Sequence, residues 1–268
     1  MKYAFFLLVL TFALVITGCP PAKETTKVEE PPPPPPVEPR PAIPEVFVRV
    51  ASIDLSSVPR KIEKKDIESI AGLMKKENID ILSVQGITRY PELKNRIDVF
   101  EEIAAATDMR KVWGENITFS GRQIGNAVFS TYPIRSHVTT GYKGIASANY
   151  ESALQAVVDC GLREVIVVSS RLPADATAAD ITTCLSAIET INREYAGMPI
   201  ILSGNLPSGK PPEGNAGYQA VPGPASSVAP KIWYSSDGSL LLKLHHVSET
   251  SLRPVTVTEF GIFRKGPR

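Results

Sequence analysis

The chain holds few side chains suited to acid–base or metal chemistry near neutral pH. It has three histidines and three cysteines in 268 residues, and histidine is the only side chain whose ordinary titration falls between pH 5 and 8. His137 lies on a middle strand. His245 and His246 are adjacent in a segment that reads as a strand, so they point to opposite faces and are poorly placed to share a metal. Surface or packing roles follow for all three. No H-x-E-x-H, paired C-x-x-C or G-x-x-x-x-G-K-S/T pattern occurs, and Gly121–Gly125 is a loop cue only. Cys160 sits at one end of a strand and Cys184 two turns into the helix that leaves its other end, which puts them beyond disulfide reach.

Charge narrows the function classes further. Lys and Arg total 29 against 28 for Asp and Glu, a net charge of +1. That balance excludes a large basic footprint for duplex nucleic acid and gives little long-range steering of polyanions, so no nucleic-acid partner is expected. Hydrophobic residues make up 43% of the chain, enough for a core.

The first 18 residues read as a secretory signal. Lys2 supplies a basic start, and the uncharged run from Ala4 to Ile16 is too short to span a bilayer, which needs about 20 apolar residues. The run ends in Ile16-Thr17-Gly18-Cys19, which resembles a bacterial lipobox. The resemblance implies cleavage before Cys19 and acylation of its thiol, an anchor of several acyl chains at about 0.8 kcal/mol per buried methylene. Residue 20 is Pro and not Asp, so no inner-membrane retention signal is visible, which points to the outer membrane in a cell that has one. Residues 19–44 form a spacer. Positions 20–44 hold eleven of the 24 prolines, a composition that prefers polyproline II and buries no core. Its 25 residues reach up to about 80 Å at roughly 3.1 Å per residue.

Residues 45–268 make one domain, and its pattern alternates strands and helices before turning strand-rich. Strands are expected at Val46–Ile53, Ile79–Val84, Ala127–Thr131, Ser136–Thr140, Ser152–Asp159, Glu164–Ser170, Pro199–Ser203, Lys231–Ser235, Leu240–Val247 and Val255–Phe263. Helices are expected at Asp66–Lys76, with Ile67, Ile70, Ala71 and Met74 on one face, at Glu92–Ala106, and at Ala178–Tyr195. Cys160-Gly161-Leu162-Arg163 reads as a hairpin turn, and residues 204–230, with five Gly and six Pro, as a loop.

The blocks at the strand ends resemble the endonuclease/exonuclease/phosphatase superfamily. They are Asp80–Gln85, Gly125–Ile134 (GNAVFSTYPI), Ile200–Gly204 and Arg253–Val255, in the family's order and spacing. The resemblance covers most of residues 46–263 and implies a four-layer α/β/β/α sandwich that hydrolyses phosphate esters with a divalent metal. Position by position, the chemistry is missing. Asp54 stands where the family has an asparagine, and Gly86 where it has the metal-binding glutamate. Arg171 replaces the histidine of T-H-L. Asn205 and Pro207 replace the aspartate and asparagine of G-D-F-N, and Trp233 the aspartate of I-D-Y. Ser251 and Leu252 replace the final aspartate and histidine of S-D-H.

Magnesium normally takes one or two protein carboxylates, and of these positions only Asp54 offers one. With no activated water and no general acid or base, no catalytic residue, metal ligand or cofactor is assigned. A buried arginine needs a carboxylate, so Arg171 is expected to pair with Asp54, and Trp233 to fill part of the crevice. The reading is a membrane-anchored extracytoplasmic lipoprotein with a catalytically degenerate domain that binds or scaffolds, its partner an unknown envelope protein or anionic ligand. The alternatives are a metal-dependent phosphodiesterase or phosphatase with a relocated site, and an anion-binding module built on Arg171.

Overall fold

A computed structural model describes residues 44–56, 58, 60–92, 96–142, 151–172, 177–192, 197–205, 217–222 and 229–264. The signal, Cys19 and nearly all of the spacer lie outside the described residues, as does Pro207. No helix among the described residues is long and apolar enough to cross a membrane.

The elements are β1 (Val46–Asp54), α1 (Lys64–Lys76), β2 (Ile81–Arg89), α2 (Val99–Thr107), β3 (Arg110–Phe119), β4 (Arg122–Ser130), β5 (Ile134–Gly141), β6 (Ser152–Asp159), β7 (Glu164–Arg171), α3 (Ala178–Asn192), β8 (Ile200–Asn205), β9 (Tyr218–Ala220), β10 (Lys231–Ser235), β11 (Leu240–Glu249) and β12 (Pro254–Ile262). They form two six-stranded sheets, ordered β11-β12-β1-β2-β4-β3 and β5-β6-β7-β8-β10-β9. In each sheet one central pair is parallel, β1 with β2 and β7 with β8, and the remaining pairs are antiparallel.

Three apolar clusters separate four layers. Ala51, Ile53, Leu82 and Val84 pack outward against Ile67, Ile70 and Leu73 of α1 and Phe100 and Ile103 of α2. Val48, Val50, Ile81, Val167 and Ile201 meet between the sheets. Val168 and Leu202 face Cys184, Leu185 and Ile188 of α3. This is the expected α/β/β/α sandwich. Strands covered on both faces must be apolar at nearly every position, which is why β1, β2, β7 and β8 read as continuous runs.

Several boundaries differ from the sequence pattern. Leu73, and not Ala71, completes the buried stripe of α1. The second helix begins at Val99, because Asp98 accepts the N–H groups of Phe100 and Glu101 at 3.1 and 3.2 Å and caps it there; Ile97 precedes the helix. β3 went unread as a strand: it is an edge, with mixed charges and little burial. β9 lies inside the segment read as loop. Ile181 and Ile191 of the third helix have side chains outside the described ones, and residues 193–196 lie outside as well. Cys160 and Cys184 are both free, and Cys160 is buried in the inter-sheet cluster.

Candidate functional site

The inner faces of the two sheets grade from apolar to polar along the parallel strands. With the two-residue period of a strand, β1 presents Val48, Val50, Ser52 and then Asp54. β2 presents Ile81, Ser83 and Gln85; β7 presents Val165, Val167, Ser169 and Arg171; β8 presents Ile201, Ser203 and Asn205. All four strands therefore end in a polar group at the same end of the sandwich. The ends are tied across the sheets: Gln85 Nε2 donates to Ser169 Oγ at 3.0 Å, and Ser169 Oγ donates to the Val84 carbonyl at 3.1 Å. The carboxyl ends of parallel strands are where ligands bind in open α/β sheets. A cavity of about 520 Å³ beside Asp80 and Met109 lies at the opposite, amino ends of these strands and contains none of these groups.

Most of the singled-out positions are committed to structure. Asp54 is buried, and its Oδ1 accepts the Ser56 N–H at 2.8 Å, closing the turn after β1. Gly86 forms a bulge in β2 at φ +63°, and a Cβ placed there would meet Ser56 Cα at 2.5 Å and Ser56 N at 2.7 Å. The space a glutamate would need is thus filled by backbone. Ser251 Oγ donates to Asp66 Oδ1 at 2.8 Å. Asp66 is fully buried and also holds a two-pronged ion pair from Arg60, at 2.6 and 2.7 Å, and the Glu63 N–H at 2.9 Å. These contacts, Arg60 foremost, hold its carboxyl well below the ordinary range. Leu252 packs against the α1/α2 cluster. Asn205 lies opposite Arg171 in the β7–β8 register.

Two expectations are corrected. Trp233 does not fill the crevice: it is fully buried in the cluster under α3, because Ile232 takes the inward face of β10 and its neighbour must take the outward one. Arg171 pairs with Glu151 and not with Asp54. Asp54 is turned back onto its own loop, whereas the β6–β7 register, with Ala153 opposite Ser170, brings Glu151 diagonally up to Arg171. Continuing the register of the Cys160–Arg163 hairpin by one residue beyond Ser152 and Ser170 would have exposed this partner from sequence.

Glu151 anchors a network that no motif marks. Its Oε2 accepts from Asn116 Nδ2 at 3.4 Å. Ser152 Oγ donates to Asn116 Oδ1 at 2.6 Å, and Asn126 Nδ2 donates to the Ser152 carbonyl at 2.8 Å. Burial pushes the Glu151 carboxyl up to about 7; Arg171 opposes the rise and the nearby Asp54 charge adds to it. Asp54 is thus near enough to Glu151 to be felt by it, and Arg171 holds Glu151. The donors available do not fit a divalent cation: Arg171 holds Glu151, Gly86 has no room for a side chain, and Ser251 and Trp233 are engaged elsewhere. Among the described residues no three His, Cys, Asp or Glu side chains converge in metal-binding geometry. His137 lies on exposed edge strand β5, His245 Nδ1 meets Thr258 Oγ1 at 3.3 Å, and His246 pairs with Glu77 at 3.3 Å.

Beside the network opens a cleft of about 410 Å³ between the β1–α1 segment, the end of β2 and the start of β4, with Gly86 and Arg171 on its wall.

Solved structures share this fold. The structural match to an endonuclease/exonuclease/phosphatase from Beutenbergia cavernae has a TM-score of 0.60 at 15% identity, covering 81% of this chain and 72% of that one. The fold is that of the endonuclease/exonuclease/phosphatase proteins. The human Nocturnin catalytic domain, solved with a bound sulfate anion, matches with a TM-score of 0.64 at 14% identity over 81% of this chain and 95% of that one. A family protein from Bacteroides vulgatus matches with a TM-score of 0.62 at 10% identity over 82% and 100%. No family model and no curated protein matches the sequence.

Proposed function

We propose that this chain is a lipid-anchored extracytoplasmic protein whose phosphoesterase-type domain works by binding and not by hydrolysis. The observation that carries this reading is the closure of Gly86: the position that would supply a metal-holding carboxylate is a bulged glycine pressed against the Ser56 backbone. The engagement of Arg171 by Glu151 and of Ser251 by Asp66 supports it. The lipobox-like Cys19 and the proline-rich spacer support an anchored domain held away from a membrane. The sulfate in the Nocturnin structure shows that one protein of this fold holds an anion, and an anionic ligand or an envelope protein is the partner class proposed here.

The second reading, a phosphoesterase with a relocated site, draws on one observation, the proximity of Asp54 to a Glu151 that titrates near neutrality. The test is hydrolysis of bis(p-nitrophenyl) phosphate by the purified chain with magnesium or manganese. The expected rate equals that of buffer with metal. A chelator-sensitive rate that disappears in Glu151→Gln or Asp54→Asn would establish the enzyme instead. Anchoring is tested separately, by incorporation of labelled palmitate that Cys19→Ser abolishes.

A further inference from the structure

Among the described residues the 410 Å³ cleft is lined by five cationic side chains, Arg60, Lys61, Arg96, Arg122 and Arg171, and by no carboxylate. In a chain of 29 cations and 28 anions that is a local segregation of charge. The arginines here usually find acids: Arg49, Arg60, Arg89, Arg135, Arg171 and Arg264 each pair with a carboxylate. Arg60 and Arg171 are therefore fixed parts of the wall. Lys61, Arg96 and Arg122 are different. All three are exposed, and none has a carboxylate partner among the described residues. Arg96 instead lies over the Tyr90 ring, 5.9 Å from its centre, at the edge of the same cleft. Three sequence-distant segments thus deliver to one concavity cations that have no carboxylate partner among the described residues. Like charges in a cleft with low-dielectric walls focus a positive potential inward. The physiological screening length is about 8 Å, so an oxyanion inside the cleft is attracted by those of the cations that stand within that reach.

We propose that Lys61, Arg96 and Arg122 form a binding site for a ligand carrying two or more oxyanion groups. The site rests on the non-hydrolytic reading and gives it a ligand class. It differs from the module built on Arg171 alone, because the Arg171 guanidinium is engaged by Glu151 and the recruiting charges are three other side chains. Phosphate and carboxylate ligands share this chemistry, since guanidinium and ammonium groups bind both.

The test is calorimetry of the full chain with tripolyphosphate and with trigalacturonate, and with neutral maltotriose as control. Saturable binding of at least one anion is expected, weakening as salt rises from about 50 to about 300 mM. Which anion binds tells phosphate from carboxylate recognition. The triple variant Lys61→Gln/Arg96→Gln/Arg122→Gln is expected to lose about 100-fold or more in affinity, with an unchanged melting temperature. Lys243→Gln, on β11 away from the cleft, is expected to bind as the parent does. No saturable binding of either anion, or equal binding by the triple variant or of maltotriose, overturns the proposal. Turnover of bis(p-nitrophenyl) phosphate would overturn the non-hydrolytic reading while leaving this binding result standing.

Discussion

Placing at position 86 the metal-binding glutamate that the sequence resemblance implies, by Gly86→Glu, tests the proposed non-hydrolytic reading. If the proposed site needed only that side chain, the substitution would supply it. The structure says it will damage the fold instead. Any L-residue at φ +63° pays about 1–2 kcal/mol for left-handed backbone. The new Cβ would also stand 2.5 Å from Ser56 Cα and 2.7 Å from Ser56 N. These are backbone atoms held by the Ser56 N–H bond to Asp54, so they cannot swing aside as a side chain would. Overpacking of this kind adds about 1–3 kcal/mol. The sum, about 2–5 kcal/mol, lowers the melting temperature of a domain this size by roughly 4–20 °C. Gly86→Ala shares both costs and should fall nearly as far, which assigns the loss to Cβ and backbone and not to the added charge. The assay is thermal denaturation followed by circular dichroism, with bis(p-nitrophenyl) phosphate hydrolysis in magnesium measured on the same samples. A Gly86→Glu protein that melts like the parent and acquires metal-dependent turnover would refute the reasoning.

Other expectations follow from groups already placed. Asp66→Ala removes the buried acceptor of the Ser251 hydroxyl and the Glu63 N–H and should cost about 1–3 kcal/mol, read by urea unfolding. Because the Asp66 carboxyl is held low when folded, its contribution is present above the ordinary carboxylate range and is lost as pH falls below it; the acid limb of a melting curve against pH should flatten in Asp66→Asn. Glu151 has the opposite sign: its raised carboxyl favours the folded state below about 4.5, and that advantage is lost as pH climbs through about 7. Glu151→Gln should remove this slope, about 1–2 kcal/mol once solvent screening is allowed for, as seen by melting at pH 5 and pH 8. Cys160 and Cys184 are buried thiols pushed up to about 12, so neither should react with a disulfide reagent at pH 8 until the protein unfolds.

The strands that carry the site were legible because burial on both faces leaves an unbroken apolar run, and Ser152–Asp159 and Lys231–Ser235 coincide with the expected spans. β3 was illegible for the converse reason: an edge strand owes its place to one neighbour, and Arg110, Lys111 and Glu115 dilute its pattern. Asp54 and Arg171 sit at strand ends as the motif blocks imply, whereas Gly86 lies at a bulge within β2. Glu151 was missed because it precedes its strand and belongs to no block. The role of Ser251 depends on Asp66, 185 residues away, and no local pattern encodes such a pair. The near-neutral total charge argued against polyanion steering, yet it averages over a surface on which cations gather in one cleft.

The strand order of the first sheet has a consequence for synthesis. β12, the last element of the chain, lies between β11 and β1, and β1 begins at Val46. Until some 250 residues have left the ribosome, the first strand made has an open flank along its whole length. The sandwich therefore cannot close vectorially from its amino end. A chain so built cannot complete its first sheet until its final hairpin arrives. Clipping the last fifteen residues should be far more harmful than their number implies, because the cut removes a central staple and not a fringe.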